Sequence, residues 1–179
     1  METQALKSQL YSQLGNCLEY PATMQVWDLV QVTADEIRTS SEEAANFLKE
    51  FISKMKRMDL GMRQEYYVKT FDLMPQCSLY LSVHLFGEES FRRAELMAGL
   101  KGAYERNGAW TSTELPDHLA VVLKQNVLLD QEEWADLVSM AMIPALPIMI
   151  NKLEKNKNPY ALILKAVQVF LVETEKSHV

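Results

Sequence analysis

At 179 residues, with 48% hydrophobic and 23% charged residues, the chain is long enough for one domain with its own core and too apolar to be disordered. Its formal net charge of −6 argues against non-specific nucleic-acid binding, which needs a basic face, and is compatible with a basic partner. Two cysteines, Cys17 and Cys77, and three histidines without clustered spacing supply neither a disulfide framework nor a zinc site, so no metal centre is expected. The N-terminal residues show no basic segment followed by an apolar core, so no secretory signal is expected. The longest uninterrupted apolar run, residues 140–150, contains Pro144 and Pro147 and is shorter than the roughly 20 residues that span a bilayer. A soluble, cytoplasmic protein is the expectation.

Nearly every segment carries the helical period. Leu6, Leu10, Leu14 and Leu18 step by four, and Tyr20-Pro21 stops that helix. Trp27, Val30, Ala34 and Ile37 mark a second. Ser40 with Glu43 reads as a capping box for a third, with Ala44, Phe47, Leu48, Phe51, Ile52 and Met55 on one face. Asp59 suits the cap of a central helix. There Tyr67, Phe71 and Met74 share one face and Tyr66 and Leu73 another, which predicts a largely enclosed helix ended or kinked by Pro75. The next run is ambiguous: Leu79, Leu81, Val83 and Leu85 alternate as in a strand, while Tyr80 and His84 are four apart as in a helix. With no second convincing strand to complete a ladder, it is read as helix.

Phe91, Ala94, Met97 and Ala98 follow one face of the next helix, and Leu96, Leu100 and Tyr104 a neighbouring one. Gly99 and Gly102 cost that helix about 1 kcal/mol each relative to Ala, which predicts a neighbour packed closely against them. Asn107-Gly108 is a stop signal, followed by a loop over residues 109–115. Pro116 and Asp117 suit the first turn of a helix whose apolar face is Leu119, Val122 and Leu123. Asp130 with Glu133 starts another, carrying Trp134, Leu137, Val138 and Ala141. Pro144 should kink or divide it before Leu146, Ile150 and Leu153 continue the face. Lys152, Lys155 and Lys157 complement its C-terminal dipole, and Asn158-Pro159 opens a last helix with Tyr160, Ile163, Leu164, Val167 and Leu171. The expectation is a single all-α globular domain of about eight to ten helices spanning residues 1–179.

Catalysis is not expected. The glycines have no phosphate-loop spacing, there is no nucleophile elbow or Cys–His arrangement, and Glu42-Glu43 and Glu132-Glu133 sit at helix starts where the dipole explains them. Of the polar groups in the central stretch, Asp72 either caps or pairs with an arginine, or touches a partner. His84 is either a satisfied helix-face histidine or a ligand. Glu114, Asp117 and His118 surround the later proline turn, where dipole complementarity and a surface histidine compete with partner contact. Ten methionines fit either an irregular helical core or a groove for an amphipathic helix, and Met140, Met142 and Met149 cluster around two prolines.

Thr70-Phe71-Asp72-Leu73, Ser78-Leu79-Tyr80-Leu81, His84-Leu85 and Gly87, then Arg92, Arg93, Leu96, Leu100-Lys101 and Tyr104, and finally the run from Glu114 through Pro116-Asp117-His118 to Leu119, resemble the NarJ-type assembly chaperones of respiratory nitrate reductase. These are relatives of the TorD/DmsD group of redox-enzyme maturation proteins. The likeness runs over residues 66–123, and Asn158-Pro159-Tyr160 resembles the family's late Ser-Pro-Tyr. The resemblance implies an all-helical, cytoplasmic protein that is not an enzyme; no cofactor of its own is expected, the molybdenum cofactor going to the client, and direct cofactor binding stays open. Its implied partners are the apo catalytic subunit of nitrate reductase, the N-terminal peptide of that subunit, and molybdenum cofactor biosynthesis proteins. The client would be held competent for insertion of molybdenum cofactor and iron–sulfur cluster before membrane docking. Tyr67, Phe71, Asp72, Tyr80 and His84 match the central motif, and Glu114, Pro116, Asp117 and His118 the second; both motifs border the peptide groove in the family. Ala120 departs from the pattern, standing where many members have a second proline. Two other readings stay open: a helical adaptor for another molybdenum oxidoreductase or an unrelated partner, and a nucleotide-dependent enzyme, which the missing phosphate motifs disfavour.

Overall fold

The computed structural model describes residues 2–108 and 112–176. Residues 109–111 of the expected loop lie outside the described residues. The order is α1 (Glu2–Asn16), α2 (Gln25–Ile37), α3 (Glu42–Met55), α4 (Leu60–Phe71), α5 (Leu81–Phe86), α6 (Phe91–Asn107) and α7 (Leu119–Lys124), which runs into a 3-10 turn, Gln125–Leu128. It continues with α8 (Gln131–Leu137), a π turn (Val138–Met142), α9 (Ile143–Lys155) and α10 (Tyr160–Lys176). Among the described residues there is no strand, only one isolated antiparallel bridge between Tyr80 and His118. The all-α expectation is met.

Two packed groups share one core. In the first, α10 lies between α3 and α9, and α2 covers α3. In the second, α1 packs on α7. The six-residue α7 is the most enclosed element, with Leu119, Ala120, Val121, Val122 and Leu123 all buried rather than one face alone. That enclosure depends on Gly15: a Cβ there would lie 2.8 Å from the Ala120 carbonyl oxygen and 2.9 Å from Lys124 Cγ. Sequence spacing gave no sign of this approach, because it joins residues far apart in the chain.

Aromatic rings join the first group to α4. Tyr160 lies with ring centroids 5.1 Å from Phe51, 4.9 Å from Phe71 and 5.9 Å from Tyr67. Asn158 fixes the start of α10 there: its Oδ1 accepts from the Tyr160 N–H at 3.0 Å, and its Nδ2 donates to Thr70 Oγ1 at 2.9 Å. Arg63 of α4 is also buried, lying 3.9 Å over the Trp27 ring and donating to the Met55 carbonyl at 3.4 Å.

Several local expectations are corrected. Ser41, not Ser40, caps α3, accepting from the Ala44 N–H at 3.1 Å. Asp59 and Asp130 cap α4 and α8 as their positions predict. The central helix ends at Phe71, so Leu73 and Met74 leave the enclosed faces assigned to them and stand in solvent. Leu79 lies in a bend and Tyr80 is extended, and helix begins only at Leu81, because Asp117 and His118 supply the backbone partner that the local sequence lacks. Pro116 and Asp117 form a turn before α7 rather than its first turn. A Cβ at Gly99 would meet nothing within 4 Å and one at Gly102 only Arg106 Nη1 at 3.8 Å, so no closely packed neighbour explains either glycine. Gly108 ends α6 with extended backbone (φ 177°), and a Cβ there would sit 2.9 Å from Leu128 Cδ2.

Pro144 neither breaks nor divides its helix. Residues 131–155 run continuously through the π turn, where the Ile143 N–H bonds back to the Val138 carbonyl. A helical proline ring collides with the carbonyl four residues earlier, here Met140, and the widened turn at that point makes room. By length and composition this helix could cross a membrane, yet half of its most apolar window is buried inside the protein.

Candidate functional site

Two non-helical segments meet at a single bridge beside the second group. The Leu119 N–H donates to the Leu79 carbonyl at 2.8 Å and the Leu81 N–H to the Asp117 carbonyl at 3.1 Å. This crossing brings the two predicted motifs together. On one side of it lies an open groove of about 630 Å³ between the segment after α1, the end of α4, Leu79–Tyr80, residues 112–114 and α7.

Six of the nine sequence-derived site residues line this groove: Tyr67, Phe71, Asp72, Tyr80, Glu114 and His118. Tyr67 and Phe71 are rigid parts of its wall, their rings 5.1 Å apart and the Tyr67 hydroxyl donating to the Leu18 carbonyl at 2.9 Å. The Tyr80 hydroxyl donates to Glu114 Oε2 at 2.7 Å, and the Tyr80 ring meets His118 edge-on at 5.3 Å. Asp72 lies just beyond α4, its N–H bonded to the Val68 carbonyl. Among the described residues it neither caps a following helix nor forms an ion pair with an arginine. Burial, reinforced by the nearby Glu114 charge, raises its carboxyl above the usual aspartate range.

His118 is not the surface histidine expected. It is 8% exposed, its Nδ1 has no partner among the described residues, and burial lowers its pKa against the opposing pull of Glu114, Asp117, Glu19 and Asp72. Burial thus disfavours the charged imidazolium on the groove wall.

The other three residues build the scaffold. Asp117 is fully buried, and its Oδ2 accepts from the Ser82 N–H at 3.1 Å and from the Ser82 hydroxyl. It thus complements the first turn of α5, not that of α7 as its sequence position suggests. Arg93 Nε donates to the same Ser82 oxygen at 3.1 Å. The Pro116 carbonyl accepts from the Tyr104 hydroxyl at 3.2 Å. His84 lies outside the groove: its Nε2 donates to the Ser78 carbonyl at 2.8 Å, its Nδ1 accepts from the Lys152 ammonium at 3.3 Å, and burial lowers its pKa.

Sequence reasoning missed the opposite wall. Glu19, Tyr20 and Ala22 arrive from the segment after α1, and Val121, Lys124 and Gln125 from α7 and the following turn. Glu19 and Lys124 form an ion pair across that wall. The Glu-Tyr-Pro run was legible as a helix stop, but nothing in it points across the fold to α7. No methionine lines the groove among the described residues; Met55, Met142 and Met149 are core, and Met140 is exposed. Among the described residues no cluster of three or more His, Cys, Asp or Glu side chains is arranged to hold a metal.

The family model described as nitrate reductase delta subunit matches residues 34–160. The chain belongs to this family. Over 154 residues it is 31% identical to the nitrate reductase molybdenum cofactor assembly chaperone NarJ of Escherichia coli (strain K12), covering 84% of this chain and 64% of that protein. It is 34% identical over 101 residues to the probable nitrate reductase molybdenum cofactor assembly chaperone NarJ of Bacillus subtilis (strain 168), covering 56% of this chain and 54% of the relative. It is also 30% identical over 151 residues to the nitrate reductase-like protein NarX of Mycobacterium tuberculosis (strain ATCC 25618 / H37Rv), where the match covers 84% of this chain and 22% of the relative. The chain thus spans less than two thirds of each of these relatives. The delta subunit family match encloses both motifs, the crossing between them and all of the groove except the wall from the segment after α1.

Proposed function

We propose that this chain is an assembly chaperone for the catalytic subunit of respiratory nitrate reductase. It binds the apo subunit, partly through that subunit's N-terminal peptide, and holds it competent for insertion of molybdenum cofactor and iron–sulfur cluster before membrane docking. The work is done in the cytoplasm, by binding rather than catalysis, and the cofactor belongs to the client. The observation that carries this reading is the groove itself: both motif segments converge on one concavity with an aromatic wall and a carboxylate rim. The names of the E. coli and B. subtilis relatives support it.

The chemistry suits an amphipathic helix. Tyr80 offers apolar area over a floor built by the buried Tyr67 and Phe71, Asp72 and Glu114 attract basic side chains, and burial disfavours a positive charge on His118 that would repel them. Calorimetric titration with the N-terminal peptide of the nitrate reductase catalytic subunit tests the reading. Saturable one-to-one binding tighter than about 10 μM, roughly −7 kcal/mol, is expected. Absence of heat together with absence of competition for the full subunit overturns it.

A further inference from the structure

The turn after α4 presents apolar side chains to water. Leu73 is 73% exposed and Met74 95%. Met74 also holds φ at 49°, in the left-handed region that glycine or asparagine ordinarily fills. The backbone around these residues is fastened on both sides. The Asp72 and Leu73 N–H groups both donate to the Val68 carbonyl at 3.0 Å, and the Cys77 N–H donates to the Thr70 carbonyl at 3.2 Å. Gln76 Oε1 accepts from the buried Asn158 Nδ2 at 3.1 Å. The two side chains are therefore held out by a pinned turn.

That turn directly follows two groove residues in the chain, Phe71 and Asp72, while Leu73 and Met74 lie beyond the lining itself. Among the described residues Asp72 and Glu114 form no ion pair, and Lys124 on the lining is engaged by Glu19. An apolar projection beside two carboxylates, Glu114 accepting from the Tyr80 hydroxyl and neither in an ion pair among the described residues, is complementary to a segment carrying a basic side chain next to an apolar one.

Resting on the chaperone reading above, we propose that Leu73 and Met74 are the specificity-determining lip of the groove. The bound client segment packs an apolar side chain against them and sets a basic side chain between Asp72 and Glu114. The lip is formed before binding, so little ordering of the turn is required when the segment arrives.

Because both side chains are exposed, Leu73→Ser combined with Met74→Gly keeps the fold, and the glycine relieves the positive φ. The probe is a synthetic peptide of the N-terminal helix of the nitrate reductase catalytic subunit, titrated calorimetrically into wild type and variant. A second peptide has its Lys and Arg replaced by Gln. The variant should bind the native peptide about tenfold more weakly, a change of about 1.4 kcal/mol, with its thermal midpoint unchanged or higher. The Gln peptide should bind wild type about tenfold more weakly, and Asp72→Asn should weaken the native peptide more than the Gln peptide. If the double variant loses thermal stability, Leu73→Ser alone is judged by the same ratio. Native affinity in the lip variant overturns the lip, and equal affinity for the two peptides overturns the carboxylate half. Wild type that binds neither peptide overturns the chaperone reading, and the lip with it.

Discussion

Of the two histidines of the motif segments, His118 lines the groove and His84 lies outside it, and they meet opposite fates. His84 has both ring nitrogens engaged, by the Ser78 carbonyl and the Lys152 ammonium, and ties the 77–78 segment and α5 to α9. His118 is more deeply enclosed, yet its Nδ1 has no partner among the described residues, and three of the carboxylates around it, Glu114, Glu19 and Asp72, line the groove. Buried polar groups are ordinarily satisfied, so an open nitrogen on the groove wall marks a place for a ligand; the scaffold is not fully closed either, since Asp117 Oδ1 also has no partner among the described residues. Motif membership alone cannot make this distinction, because both histidines sit equally well in the pattern.

The largest effect expected comes from cutting the wall that both sides share. Phe71→Ala removes a ring packed on Tyr67 and Tyr160 and should cost about 3–5 kcal/mol in urea unfolding. Its binding data are meaningful only at temperatures where the variant is folded. On the scaffold side, Asp117→Ala leaves the Ser82 N–H without its acceptor and should lower stability by about 1–3 kcal/mol, seen as a lower thermal midpoint. Asp72→Asn, by contrast, should leave that midpoint nearly unchanged while weakening peptide binding. If the two aspartates behave alike in both assays, the division into scaffold and site fails.

Acid sharpens the same contrast. Both histidines have folded pKa values below the ordinary 6.5, so between those values and 6.5 the unfolded chain binds more protons than the folded one. Stability therefore rises with pH across that window and falls as pH drops below about 6.5. His118→Gln and His84→Gln should each flatten part of this slope in urea titrations at a series of pH values. Peptide affinity should respond to the first substitution more than to the second. The smallest effect lies away from both sides, on the outer face of α6. Gly99→Ala, where a Cβ meets open space, should stabilise by about 0.4–1 kcal/mol and leave binding untouched.

The helices were legible because their apolar residues repeat locally, and the caps Asp59 and Asp130 were legible because a cap acts within three residues. What escaped was non-local. The Leu79–Tyr80 stretch reads as helix because its bridging partner is His118, far along the chain. Gly15 looks like an ordinary helix glycine until α7 is laid against it. Gly99 and Gly102 draw attention by local cost and have no close contact to justify it. For the site, the resemblance selected six groove residues, and it also selected three that hold the groove in shape. Leu73 and Met74 were assigned to buried faces because the helix was carried past Phe71, and Asp117 was assigned to the wrong helix because its partner, Ser82, lies on another segment.

The π turn between α8 and α9 has an angular consequence. The buried positions Trp134, Val138, Met142, Leu146 and Ile150 repeat every four residues, and so do Leu137, Ala141, Ala145, Met149 and Leu153. On a helix of about 3.6 residues per turn such a stripe drifts by roughly 40° at each repeat, and over the whole length it would wind around to the solvent side. A turn wide enough to hold an extra residue takes back part of that drift, so both halves keep their apolar stripe against the same core. The step of four written into this stretch is therefore the imprint of its one wide turn.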